Sequence, residues 1–209
     1  MRRRRRVYEF YAFLTDFKPK IWRRFQIFSN YTLAEFSYVL MYLFCMEAKP
    51  KFSIELTTKD EYECFELPSP LTPSMLVFGV PLDARETKLW NVIKNPGDRL
   101  DLFYDQGVPW HVRTAVKKIF TVDNLKKRDL PRVLEGEGYG IVKGCGGVAG
   151  LKKVVEAFKT KKGKLYEHYR KQLNEDDFDI TSFNIEEMNQ VIFYSPLVYK
   201  IFYEPDLFD

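Results

Sequence analysis

Residues 7–44 read VYEFYAFLTDFKPKIWRRFQIFSNYTLAEFSYVLMYLF, and this stretch decides the fold. Val7 to Phe17 is rich in aromatic and β-branched residues, the composition of a strand, and Pro19 punctuates it. Ile21 to Phe28 then alternates. Ile21, Arg23, Phe25 and Ile27 fall on one face, and Trp22, Arg24, Gln26 and Phe28 on the other. Thr32-Leu33-Ala34-Glu35 is a capping box, in which the Thr32 hydroxyl and the Glu35 carboxylate each take a backbone N–H of the first helical turn. Phe36, Val39, Leu40, Leu43 and Phe44 give that helix a wide apolar face, and Lys49-Pro50 is expected to end it. Two strands followed by an amphipathic helix imply an antiparallel pair with a helix laid on it, the opening of an α+β fold.

Outward from this core, Lys51 to Thr57 and Glu61 to Leu67 read as two strands joined by Thr58-Lys59-Asp60. Pro68, Pro70 and Pro73 make an irregular loop. Glu86, Leu89, Trp90 and Ile93 suggest a short helix, stopped by Asn95-Pro96-Gly97. Arg99 to Asp105 and Trp110 to Phe120 read as an antiparallel pair. Pro131 to Gly150 holds seven of the eleven glycines, and Pro131 to Gly147 is expected to be a long ordered loop packed beside the Tyr104–Trp110 hairpin. Leu151 to Phe158, Leu165 to Leu173 and Asn184 to Ile192 carry helical patterns. The expectation is one α+β domain over residues 7–192. It would have a mixed, mostly antiparallel sheet, helices packed on it and a long glycine-rich loop. A basic tail at 1–6 and a C-terminal tail at 193–209 would flank it.

The 209 residues are 45% hydrophobic, which excludes a disordered chain. No stretch approaches the roughly 20 apolar residues of a membrane span. Net charge is +4, but five cations are Arg2, Arg3, Arg4, Arg5 and Arg6; without them 28 basic residues face 29 acidic ones. The body is near neutral, so a globally basic nucleic-acid surface is not indicated, while the arginine run itself suits phosphate. Cys45, Cys64 and Cys145 are odd in number and widely spaced, unlike a disulfide framework, which points to a reducing, cytoplasmic setting. With His111 and His168 as the only histidines, no local ligand cluster reaches the four that zinc takes; no metal and no cofactor are expected.

Several segments in order resemble the Ri-plasmid Orf-three-like family, the insertion-sequence passenger proteins. These are Phe17-Lys18-Pro19-Lys20-Ile21-Trp22-Arg23-Arg24, then Thr32 to Phe36, then Gly97 to Gly107 continuing to Trp110-His111. Pro131 to Gly138 with Cys145-Gly146-Gly147 follows, and Phe178-Asp179 with Phe183 to Asn189 closes the match. The resemblance spans about Val7 to Ile192 and implies an α+β fold, with no established reaction. The family often carries loop cysteines and hairpin histidines, a set that would suit a metal. The corresponding loop positions here are Val133, Gly140 and Cys145, and the hairpin histidine position is Val112, with His111 one residue early. In a strand that shift turns the side chain to the opposite face. The second hairpin aspartate is Val108. Any metal or acid–base site of the family is expected to be dismantled here.

Asp105, His111 and Glu137 are the candidate catalytic residues, since a carboxylate beside an imidazole can move protons near neutral pH. Tyr104, Trp110, Arg132 and Glu135 would surround them. Against this, Asp105 before Gln-Gly is an ordinary turn residue, and a tryptophan such as Trp110 most often packs in a core. Trp22 and Arg24, sharing one strand face, offer an aromatic and a cation to nucleic acid, or a salt bridge within the fold. The leading expectation is a non-enzymatic accessory protein of a plasmid, phage or other mobile element. It would bind a macromolecular partner, either nucleic acid or a protein that handles it. One rival is a small-ligand binder or hydrolytic enzyme using a cleft between the hairpin and the glycine loop; another is an inhibitor of a host defence complex. Convergence of Asp105, His111 and Glu137 in an open pocket would favour the enzyme.

Overall fold

A computed structural model describes residues 4–48, 51–57, 62–69, 79–104 and 110–205. The opening strands are β1 (Arg4–Leu14) and β2 (Trp22–Phe28), antiparallel, with Phe13 opposite Trp22 and Val7 opposite Phe28. Then comes helix α1 (Leu33–Leu43). Its capping box forms as expected: the Glu35 amide donates to Thr32 Oγ1 at 3.1 Å, and the Thr32 amide to Glu35 Oε2 at 2.9 Å. The helix stops earlier than the Lys49-Pro50 signal implied. Phe44 is its C-cap and Cys45 takes φ +56°, a conformation that cannot continue a right-handed helix. Lys49 and Pro50 lie outside the described residues.

Strands β3 (Phe52–Thr57), β4 (Tyr62–Glu66), β5 (Leu82–Asp83), β6 (Arg99–Tyr104), β7 (Trp110–Asp123) and β8 (Arg132–Glu137) complete one sheet, in the order β5-β4-β3-β6-β7-β1-β2-β8. Every neighbouring pair is antiparallel except β4 with β5, so the sheet is mixed and mostly antiparallel. The short α2 (Leu89–Val92) precedes β6. Helices α3 (Gly147–Thr160), α4 (Gly163–Leu173), α5 (Ile185–Val191) and α6 (Ser195–Tyr203) follow β8.

Two expectations about the ends are corrected. Arg4, Arg5 and Arg6 are not a tail: they open β1 and pair with Asp123, Val122 and Thr121 of β7, because the long β7 offers backbone partners that far. Arg2 and Arg3 lie outside the described residues. Residues 193–205 are likewise part of the domain. Helix α6 packs on α1, where Tyr199 Oη donates to the Met46 carbonyl and Tyr38 Oη donates to Glu204 Oε1 at 2.9 Å.

The glycine-rich segment is ordered, but it is not one loop. Arg132–Glu137 is strand β8, and Gly147 opens α3. Nor does it pack beside the Tyr104–Trp110 hairpin. It pairs with β2 at the edge of the sheet, with β1 and β2 between it and β7. Its outer edge is partly covered: the Asn189 side chain of α5 accepts from the Val133 amide at 2.7 Å and donates to the Val133 carbonyl at 3.0 Å, standing in for a further strand.

One face of the sheet holds the core. Tyr8, Phe10, Phe25, Ile27, Leu102 and Val112 point there, and α1 lies on them, with the Phe36 ring 4.8 Å from that of Phe10. Arg23 also points inward and is fully buried. All its donors find backbone carbonyls: Nε that of Leu43, Nη1 those of Trp22 and Glu137, and Nη2 those of Gly138 and Tyr139. Its plane stacks on Phe183 at 3.7 Å. Burial pulls its pKa down to about 10, with the nearby Cys45 acting the other way, so it stays charged at neutral pH. Arg23 thereby ties β2, the end of α1 and the chain after β8 into one unit.

Candidate nucleic-acid interface

The opposite face of the sheet is half-exposed around Asp101, Phe103, Arg113, Ala115, Tyr11, Phe13, Trp22 and Arg24, while Val7, Glu9 and Phe28 of the same face are buried. Register lays them out in rows. One row runs Asp101, Arg113, Phe13, Trp22, Glu137, and the next runs Arg99, Ala115, Tyr11, Arg24, Glu135. Where the rows meet, Tyr11 stacks on Trp22 with ring centres 5.3 Å apart and planes 28° apart, and Phe13 lies 6.1 Å from Tyr11. Lys20 Nζ sits 4.6 Å from the Phe13 ring centre and 5.0 Å from that of Tyr11, and Lys117 Nζ is 5.5 Å from Tyr11.

The charges around this cluster are mostly spent. Arg24 Nη2 holds Glu135 Oε1 at 2.8 Å, and the Trp22 indole donates to Glu137 Oε2 at 3.3 Å. The alternation in 21–28 did separate the two arginines: Arg24 is on this face and Arg23 in the core. Arg113 Nε donates to Asp101 Oδ1 at 3.1 Å. His111 Nε2 is 3.3 Å from the same oxygen without hydrogen-bond alignment, and its ring stacks on Phe103 at 4.5 Å. Burial raises the Asp101 pKa, but His111 and Arg113 beside it lower it more, and the carboxyl ends below its usual range. Among the described residues, Lys20 and Lys117 face no carboxylate. The cluster is therefore aromatic and half-exposed, with Lys20 and Lys117 over its rings and the Glu137 carboxylate against Trp22.

Of the residues singled out from sequence, Trp22, Arg24, His111, Glu135 and Glu137 lie on this face. Tyr104 and Trp110 do not. They pair across β6 and β7 on the core side and are buried, with Tyr104 Oη bonded to the backbone of Glu47 at 3.0 Å. Period-two alternation with Leu102 and Val112 puts them there. Asp105 lies outside the described residues. Arg132, at the start of β8, donates to Gln26 Oε1 at 3.2 Å. His111 does turn away from the buried Val112, as the one-residue shift required.

Among the described residues, the hairpin strands and the glycine-rich segment do not come together to form the expected cleft. His111 on β7 and Glu137 on β8 are three strand spacings apart, about 14 Å. The chain after β8 instead borders a cleft of about 640 Å³ against the end of α1, with Cys45, Tyr139, Phe178 and Glu187 in its walls and no hairpin residue. Among the described residues no group of three or more His, Cys, Asp or Glu is placed to hold a metal ion, and no helix is long and apolar enough to cross a membrane.

Sequence reading missed Tyr11, Phe13, Lys20 and Lys117. The alternation of 7–17 puts Tyr11 and Phe13 on one face. That they meet Trp22 depends on the register of the β1–β2 hairpin, whose turn at 15–21 has no standard length.

The family model described as plasmid pRiA4b ORF-3-like protein matches residues 6–187. The crystal structure of a protein of unknown function from Methanosarcina mazei Go1 is similar, with a TM-score of 0.73 at 21% identity over 88% of this chain and 96% of that one. That likeness extends to the fold. No curated protein matches.

Proposed function

The chain belongs to the plasmid pRiA4b ORF-3-like family, and on that premise we propose that it is a non-enzymatic protein that binds single-stranded nucleic acid across the open face of its sheet. The carrying observation is the Tyr11–Trp22 stack with Phe13 beside it and Lys20 and Lys117 above it. Unpaired bases stack on such rings for about 1–3 kcal/mol each, with little sequence preference. The two lysines, held by ring faces alone, are free to swing to phosphates. Stacked rings on an open surface suit unpaired bases, which favours a single strand as the substrate. A family named after a plasmid reading frame is in keeping with a nucleic-acid partner.

The test is a fluorescence-anisotropy titration of a labelled oligothymidylate with the full chain at low salt, repeated with Tyr11→Ala, Trp22→Leu and Lys20→Glu. Each substitution should weaken binding by roughly tenfold, the value of one lost stack or phosphate contact. Wild-type protein that does not bind at tens of micromolar, or binding untouched by all three changes, would overturn the reading.

A further inference from the structure

Helix α6 is apolar on both sides. Its inner side is spent on the domain: Ser195 and Tyr199 are buried, and Tyr203 stacks on Tyr38 with ring centres 5.4 Å apart. Its outer side is not. Tyr194, Leu197, Val198, Ile201 and Phe202 are 45–61% exposed, and Val191 one turn earlier is 43% exposed. Counted from Tyr194 these residues fall at steps of three, four, seven and eight, which is one continuous stripe of a helix. A core-facing pattern thus points into solvent.

We propose that this stripe is the contact between two copies of the chain, related by a two-fold axis. Three observations select a second copy as the occupant. The first is charge. Lys200 is the one charged residue of α6, and its Nζ leans toward Glu204 Oε2 at 3.9 Å, off the stripe. A charged partner has nothing to read there, while the same neutral face meets its own image without like-charge repulsion. The second is area. From their exposures the six residues offer roughly 500–600 Å² of surface, at the upper end of the largest apolar patch that monomers usually show. Two such faces remove about 1,100 Å² from water, which clears the roughly 1,000 Å² that a specific interface needs. The third is preorganisation. The helix is pinned by Tyr199 to the Met46 carbonyl and by Glu204 to Tyr38, so the face is already built and little order remains to be imposed on association.

The pairing leaves the proposed nucleic-acid face free. Helix α6 lies on α1, which lies on the core side of the sheet, so the open faces of two paired copies point away from the contact. A dimer would then carry its two aromatic clusters on opposite outer sides, each open to a strand of its own.

Sedimentation velocity of the full chain from 1 to 200 µM tests this. The wild type should show a monomer–dimer equilibrium with a dissociation constant in the micromolar range. The double variant Leu197→Glu/Ile201→Glu should stay monomeric across the range, with unchanged circular dichroism because both sites are exposed. Leu197→Lys and Leu197→Glu proteins, each weakened at least tenfold alone, should regain dimer when mixed, since the axis brings the stripe against its own copy. A wild type that is monomeric at 200 µM, or a dimer that survives the double substitution, would overturn the proposal.

Discussion

The guanidinium carbon of Arg23 lies 3.7 Å from the centre of the Phe183 ring, joining the second strand to a residue 160 positions later. The five carbonyl bonds behind it make the pairing an anchor for the whole C-terminal half. Arg23→Met should lower stability by about 3–5 kcal/mol, because the removed donors leave buried carbonyls unpaired. Arg23→Lys should recover only part of this, having three donors in place of five and no plane to stack. Urea denaturation of the three proteins measures both.

Gly138 should not accept a side chain. It sits at φ +84°, and a Cβ there would lie 2.7 Å from Ile21 Cγ1. Gly136 has an ordinary φ but would meet the Phe183 ring at 2.6 Å and Arg23 Cδ at 2.9 Å. Gly138→Val is expected to cost about 1–3 kcal/mol through backbone strain, with the Ile21 contact adding to it. Gly136→Ala should destabilise through close contact with the Phe183 ring, Arg23 Cδ and the Trp22 carbonyl oxygen, and less so in a Phe183→Ala background. Thermal melts of the single and double variants separate the two causes.

The carboxyl of Asp101 should shape the acid limb of stability. Its pKa is depressed in the folded chain by His111 and Arg113. On acidification the unfolded state therefore binds this proton first. The contribution is present above the unfolded value of about 3.9 and is lost as pH falls through the lower folded value. Asp101→Asn should be less stable at neutral pH, and should lose less stability than wild type between pH 5 and pH 2. Denaturant midpoints across that range would show the two curves converging.

Nucleic-acid binding should depend only modestly on salt. With Lys20 and Lys117 as the phosphate contacts, the slope of log K against log salt for a single strand is expected near −1.4, about −0.7 per contact. A slope steeper than about −3 would place the arginine run in the contact. Deleting residues 1–6 is a poor test of that run, because it removes three paired residues of β1. Arg4→Ala, whose side chain only approaches Asp123 at 3.7 Å on the surface, should leave both stability and binding nearly unchanged.

Tyr38→Phe should loosen α6. It takes the Tyr38 hydroxyl from Glu204 Oε1 and leaves a buried carboxylate oxygen without its donor. A loss of about 1–3 kcal/mol is expected, with hydrogen exchange rising first in 195–203.

The sequence by itself determined the local elements and the family. The Thr32–Glu35 cap, the two-face alternation of 21–28 and the one-residue displacement of His111 from Val112 are all set by neighbours within a turn or a strand. The structure returns each of them where it was read. What lies across strands was decided only by the tertiary structure. The glycine run reads as a loop because glycine weakens any strand in isolation, yet β2 offers Arg132–Glu137 a ladder, and Arg23 and Phe183 leave no room for larger residues at Gly136. Arg4–Arg6 read as a solvated tail until β7 supplies a partner strand. The meeting of Tyr11, Phe13 and Trp22, and the failure of His111 and Glu137 to meet, both follow from strand order and hairpin register. Those are products of long-range pairing, which short-range propensity does not encode.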